Sequence, residues 1–168
     1  MEIDHQLEGA QLMTDPDQPT ATIVDVVDRW HRYMRGELPD ALDDLLDTDA
    51  VMYSPVVFTP QRGKVVVAKY LNAAKATFAA IGFDAHDGPS FRYVKQVIAG
   101  DTAVLEFETE MGGKYVNGVD IIRVNEHGKI VEFRVMVRPL QALNTVHALM
   151  GAELATIESH LVHGEPRP

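Results

Sequence analysis

The chain of 168 residues contains no cysteine. That excludes a disulfide framework, a thiol nucleophile, an iron–sulfur cluster and a thiolate zinc site. Positive charge is scarce as well: 15 Lys and Arg stand against 25 Asp and Glu, a net charge of −10. Such a balance repels a phosphate backbone, so neither nucleic acid nor an anionic membrane is an expected partner. No apolar run approaches the ~18 residues that would span a bilayer. The opening MEIDHQLEGAQLM carries acids where a secretory signal needs a basic start and a long apolar stretch, so a cytoplasmic setting is expected. There is no Walker loop, no Gly-x-Gly-x-x-Gly after a strand and no Gly-x-Ser-x-Gly elbow. The seven histidines are scattered. His160 and His163 share a helix face near a chain end and read as solvated, so no metal or cofactor is expected.

Hydrophobic residues make up 46% of the chain. At this length a single domain buries about 68–70% of its unfolded surface without a staple. Residues 1–20 are polar, end in Asp15-Pro16-Asp17-Gln18-Pro19 and read as a mobile arm. From Thr22 to Arg35 the apolar residues Ile23, Val26, Val27, Trp30, Tyr33 and Met34 recur at helical steps, with Thr22 able to cap the helix and Gly36 able to end it. A short helix is expected over 40–46, a strand over 50–55, and a helix over 64–81. The period then becomes two, and strands are expected over 91–99, 102–111, 115–124 and 129–137, separated by turn residues. Pro139 closes the sheet, and a last helix follows over 140–163.

Helices first and an antiparallel meander after give an α+β domain. Strands of about ten residues twist and curl. A strongly curved antiparallel sheet wrapped around N-terminal helices, a cone, encloses a pocket. The division is an arm over 1–20, the cone domain over 21–139 and an added C-terminal helix over 140–163. In that helix Leu140, Leu143, His147, Met150, Leu154, Ile157 and Leu161 alternate three and four apart, a heptad seam that must pack on its own domain or on a partner subunit. A homodimer is the expected assembly.

The candidate site residues are polar or aromatic groups on apolar elements. Asp120 stands in Val116-Asn117-Gly118-Val119-Asp120-Ile121-Ile122-Arg123-Val124 with apolar neighbours on both sides, so alternation does not assign its face. Pointing inward unpaired, its carboxylate would cost several kcal/mol. Arg134 on the next strand and the Trp30 indole are the partners in reach. A satisfied structural Asp120 and a pocket group that acts on a ligand both remain open. Trp30, Tyr33, Tyr53, Phe58, Phe78 and Phe107 read as core or as pocket lining, and the Tyr and Trp polar handles suit a small-molecule cavity. Glu106, Glu108 and Glu110 alternate with Leu105 and Phe107, which places the acids in solvent and the apolar pair inward.

Three stretches carry a resemblance: Val26-Val27-Asp28-Arg29-Trp30, Asp49-Ala50-Val51-Met52-Tyr53-Ser54-Pro55, and Asp120-Ile121-Ile122-Arg123-Val124 followed by Gly128-Lys129-Ile130-Val131-Glu132. Over roughly Thr22 to Pro139 the chain resembles the nuclear-transport-factor-like, or SnoaL-like, superfamily of cystatin-like cone folds. That fold hosts isomerases, cyclases, dehydratases, epoxide hydrolases and non-enzymatic binders. Against the steroid-isomerase branch, the helix-one tyrosine falls on Trp30, the general-base aspartate on Ser54, and the protonated oxyanion-hole aspartate on Asp120. Serine has no base of its own for a carbon-bound proton, so steroid-type isomerisation is disfavoured. Against the epoxide-hydrolase branch, Gly118 stands where an arginine is required. In the cyclase branch a late-strand aspartate does acid–base work, and Asp120 matches it. The resemblance implies a small-molecule-binding domain with an apolar pocket formed by Trp30, Tyr33, Tyr53, Ser54, Phe58, Phe78, Phe107, Asp120 and Arg134. The alternative is a cyclase, isomerase or dehydratase that acts on a small hydrophobic carbonyl or polycyclic compound through Asp120. The sequence does not decide whether the protein is an enzyme.

Overall fold

Helix α1 runs Ala21–Met34 and buries the whole apolar stripe read from the sequence, from Ile23 to Met34. Its N-cap is Thr20 rather than Thr22: the Thr20 hydroxyl accepts from the Ile23 amide at 3.3 Å, and Thr22 instead hydrogen-bonds Thr20. Gly36, at φ 80°, turns the chain out of the helix. A computed structural model describes residues 18, 20–79, 81–83 and 90–163, the side chains of 21 and 157–163 apart. Most of the N-terminal arm therefore lies outside the described residues. Its end does not hang free, since Gln18 and Thr20 both pair with the backbone of Gly100.

After α1 come α2 (Ala41–Leu45), β1 (Leu46–Tyr53), β2 (Gln61–Arg62) and α3 (Lys64–Ala79). Strands β3 (Arg92–Ala99), β4 (Thr102–Met111), β5 (Lys114–Val124) and β6 (Ile130–Arg138) follow, and α4 (Leu140–His163) ends the described chain. The four late strands match the period-two reading within a residue or two at each end. Strand β1 begins four residues earlier than expected, because the chain passes from α2 into it without a loop.

The six strands form one open, curved sheet in the order β2-β1-β6-β5-β4-β3. It is antiparallel except for β1 and β6, which run parallel. A chain that leaves β1 through α3 and returns by a three-strand meander arrives at β6 in the same direction. The concave face carries the alternate inward residues: Leu105, Phe107 and Met111 on β4, Val116, Ile122 and Val124 on β5, and Phe133 on β6. Trp30, Tyr33 and Leu71 close over them from α1 and α3.

Helix α4 packs against α3 and across β4, β5 and β6. The buried face is Ala142, Val146 and Met150, spaced four apart, with Leu154 partly packed. The heptad seam is therefore split: its Met150 and Leu154 face the domain, whereas Leu140, at 71% exposure, and His147 face outward. The seam's Ile157 and Leu161 fall among side chains outside the described residues. A small alanine and a β-branched valine let the helix lie close on the sheet, and Leu140 and Leu149 are left exposed.

Candidate ligand pocket

Between α1, α3, α4 and the concave sheet lies a cavity of about 50 Å³. Its walls are almost wholly apolar, among them Met34, Leu71, Phe78, Phe91, Phe107, Phe133, Val135 and, from α4, Val146 and Met150. Two side chains bring oxygen to it: Asp120 and Ser54.

Asp120 points inward. Register fixes the face: it lies opposite Leu105 on β4, which is fully buried, and opposite Val135 on β6, which also lines the cavity. Its partner is Tyr93, which the sequence reading missed. The Tyr93 hydroxyl donates to Asp120 Oδ2 at 2.6 Å, and the Trp30 indole Nε1–H donates to that hydroxyl at 2.8 Å. The direction of this chain follows from valence. The indole only donates, so Tyr93 receives from it; the carboxylate form of Asp120 only accepts, so Tyr93 gives that oxygen its one proton. The carboxyl is left to accept from a ligand when charged and to donate to one when protonated.

Burial makes the protonated form accessible. The apolar surroundings raise Asp120 to about 7, against the opposing pull of the Tyr93 hydrogen bond. Burial also raises Tyr93 well above its ordinary value, helped by the charge and hydrogen bond of Asp120. Tyr93 therefore stays protonated, and Asp120 is the group that titrates.

The aromatic wall is packed ring on ring. Phe91 lies 4.7 Å from Phe78, 5.1 Å from Phe107 and 5.1 Å from Tyr93, centroid to centroid. Phe107 is seated against Gly118, where a Cβ would come within 2.3 Å of Phe107 Cζ and 2.5 Å of the Met136 carbonyl oxygen. The glycine that stands where an epoxide hydrolase requires arginine is thus the floor on which Phe107 rests.

Of the expected site residues, Trp30, Ser54, Phe78, Phe107 and Asp120 meet at the cavity. Tyr33 is buried one layer away; its hydroxyl donates to Asn72 Oδ1 at 2.8 Å, and Lys75 lies over its ring. Arg134 does not pair with Asp120. It stands opposite Ile121, one residue out of step, and so projects from the convex face, where it bonds Glu132 at 3.3 Å and covers the Tyr53 ring at 4.4 Å. That contact takes Tyr53 away from the cavity as well. Phe58, in the loop after β1, is fully exposed. Tyr93 had a usable signal. It is in step with Phe91, and its register partner is Phe107. The ladder slips between Tyr93 and Lys95, which breaks the alternation along β3 and hides the signal.

The SnoaL-like domain model matches residues 27–133, well over half of the sequence. The chain belongs to the SnoaL-like family. Among solved structures it is similar to a steroid delta-isomerase from Pseudomonas aeruginosa, at 31% identity over 84% of this chain and 97% of that one, with a TM-score of 0.73. A bacterial protein with a cystatin-like fold from Silicibacter pomeroyi matches at 23% identity, 81% and 89% coverage and a TM-score of 0.64. An NTF2-like protein from Mesorhizobium loti matches at 22% identity, 74% and 98% coverage and a TM-score of 0.60. The last two show the fold alone. No curated protein matches the chain.

No group of three or more His, Cys, Asp or Glu that could hold a metal occurs among the described residues. None of the described helices is long and apolar enough to cross a membrane.

Proposed function

We propose that this SnoaL-like domain binds a small apolar molecule bearing an oxygen acceptor, with Asp120 as the hydrogen-bonding group at the base of the pocket. The observation that carries this reading is the Trp30–Tyr93–Asp120 chain, whose last member is, among the described residues, the one ionisable group lining a largely apolar cavity. A buried carboxyl that titrates near neutrality donates to a ketone oxygen below pH 7 and repels it above. Titration calorimetry with acetophenone across pH 5–9 tests this. Affinity should fall by tenfold or more above pH 7 in the wild type. In Asp120→Asn, whose amide always donates, affinity should be independent of pH. Equal pH-independence in the wild type would remove Asp120 from the site.

The second reading, an acid–base enzyme, is favoured by the same Asp120 value, since a group poised near 7 can both give and take a proton. The binder is preferred because Ser54 supplies no second base. The similarity to a steroid delta-isomerase supports a hydrophobic carbonyl compound as ligand. A cavity of about 50 Å³, room for about four water positions, favours one ring over a fused polycycle. The acidic, cysteine-free composition supports a cytoplasmic setting, and the exposed Leu140 and Leu149 of α4 support a homodimer. Leu140→Glu should then yield a monomer by light scattering.

A further inference from the structure

Ser54 is the other oxygen at the cavity, and its place relative to Asp120 follows from strand register. Tyr53 on β1 pairs with Arg134 on β6, so Ser54, one residue on, continues beside Val135. Val135 in turn pairs with Asp120 on β5. Ser54, just past the end of β1, Val135 on β6 and Asp120 on β5 therefore follow one another across the sheet, and all three line the cavity. Two strand spacings put the Ser54 and Asp120 Cα atoms ~10 Å apart, with concave curvature tilting their side chains toward each other.

The two ends differ in depth. Asp120 is buried at 6% exposure, whereas Ser54, Pro55 and Val56 are only half-buried, so the Ser54 end lies nearer the surface. Ser54 Oγ accepts the Val56 amide at 3.3 Å, which fixes the hydroxyl and leaves its proton to donate elsewhere. The floor between the two poles is the isopropyl group of Val135, flanked by Met52 and Phe133, with no polar atom to offer.

We infer that the ligand carries two oxygens at opposite ends of one six-membered ring, the inner one hydrogen-bonded by Asp120 and the outer one by Ser54. The inference rests on the Asp120 pocket proposed above and adds the ligand's second pole. Serine at the rim converts a place suited to proton abstraction into a hydrogen-bond donor, so it selects a ligand by its far end. A ring with one oxygen would fill the same space and leave Ser54 without a ligand partner.

Calorimetry at pH 6 with acetophenone and 4-hydroxyacetophenone tests this, on wild type, Ser54→Ala, Ser54→Thr and Asp120→Leu. The wild type should bind the two-oxygen probe about five- to tenfold more tightly, the worth of one net hydrogen bond. Ser54→Ala should lose that preference, and Ser54→Thr, which retains the hydroxyl, should keep it. A preference that survives in Ser54→Ala, or is absent from the wild type, overturns the Ser54 assignment. Acetophenone binding that survives Asp120→Leu overturns the pocket reading instead. If neither probe binds the wild type, both fall.

Discussion

The two faces of the sheet treat charge in opposite ways, and Asp120 and Arg134 show it from neighbouring strands. Asp120 pairs in register with Val135 and faces inward; Arg134 pairs with Ile121 and faces outward. A single residue of offset separates them. On the convex face Arg134 meets Glu132 and Arg92 meets Glu108, each with substantial solvent contact. Water screens such pairs, and each contributes little. On the concave face no cation among the described residues pairs with Asp120. It is held by a neutral hydroxyl, and burial shifts its titration toward neutrality. An ionisable group becomes chemically useful where the fold withholds a counter-charge.

The comparison breaks most sharply at Gly118. Its Cβ-free backbone supports Phe107, and one of the atoms a methyl would meet is the Met136 carbonyl oxygen, which cannot rotate away. Gly118→Ala should cost about 3 kcal/mol, at the upper end of overpacking effects, in a denaturant melt. An alanine of unchanged midpoint would mean that the inner face is loosely packed.

An effect of comparable size is expected in the pH dependence of stability. The fold raises Asp120 from 3.8 to about 7, so the folded state favours the neutral acid. Between these values the native protein holds a proton that the unfolded chain has released. Stability present near pH 4 is therefore lost as pH rises to about 7, up to about 4 kcal/mol at ~1.4 kcal/mol per unit. Asp120→Asn should lack this loss. Subtracting its stability curve from that of the wild type should give a slope confined to pH 4–7; a flat difference would place Asp120 in water.

Much of this architecture was legible in the sequence. The α1 stripe, the four late strands and the inward set Leu105 and Phe107 followed from periods of 3.6 and two, because each of those elements has one buried face. The face of Asp120 was not legible, since Val119 and Ile121 are apolar too and the convex face half-buries them. Nor was Tyr93, whose strand slips register one residue later. The seam of α4 is legible only in part. Its Met150 and Leu154 do face the domain, but in the first two turns close approach to the sheet selects the slimmer Ala142 and Val146 over Leu140 and His147. Phe58 and Tyr53 were counted into the pocket by residue type alone, and neither type fixes a direction.

A smaller effect is expected at Thr109, whose hydroxyl is buried in the inner face with no hydrogen-bond partner. Thr109→Val keeps the shape and removes that unsatisfied group, and should raise stability by about 1 kcal/mol in a thermal melt. Smallest of all, Glu132→Gln on the convex face should change stability by under about 0.5 kcal/mol, as a screened pair allows. A loss of several kcal/mol there would erase the distinction between the faces.

The most direct measurement is a carbon-detected NMR titration of the Asp120 carboxyl in the ligand-free protein, wild type beside Tyr93→Phe. With the carboxyl in an apolar cavity and held by one neutral donor, the wild type should titrate near 7. Loss of the Tyr93 hydrogen bond, which favours the charged form, should move it higher still. A wild-type value near 4, or a Tyr93→Phe value that moves down, would contradict the account.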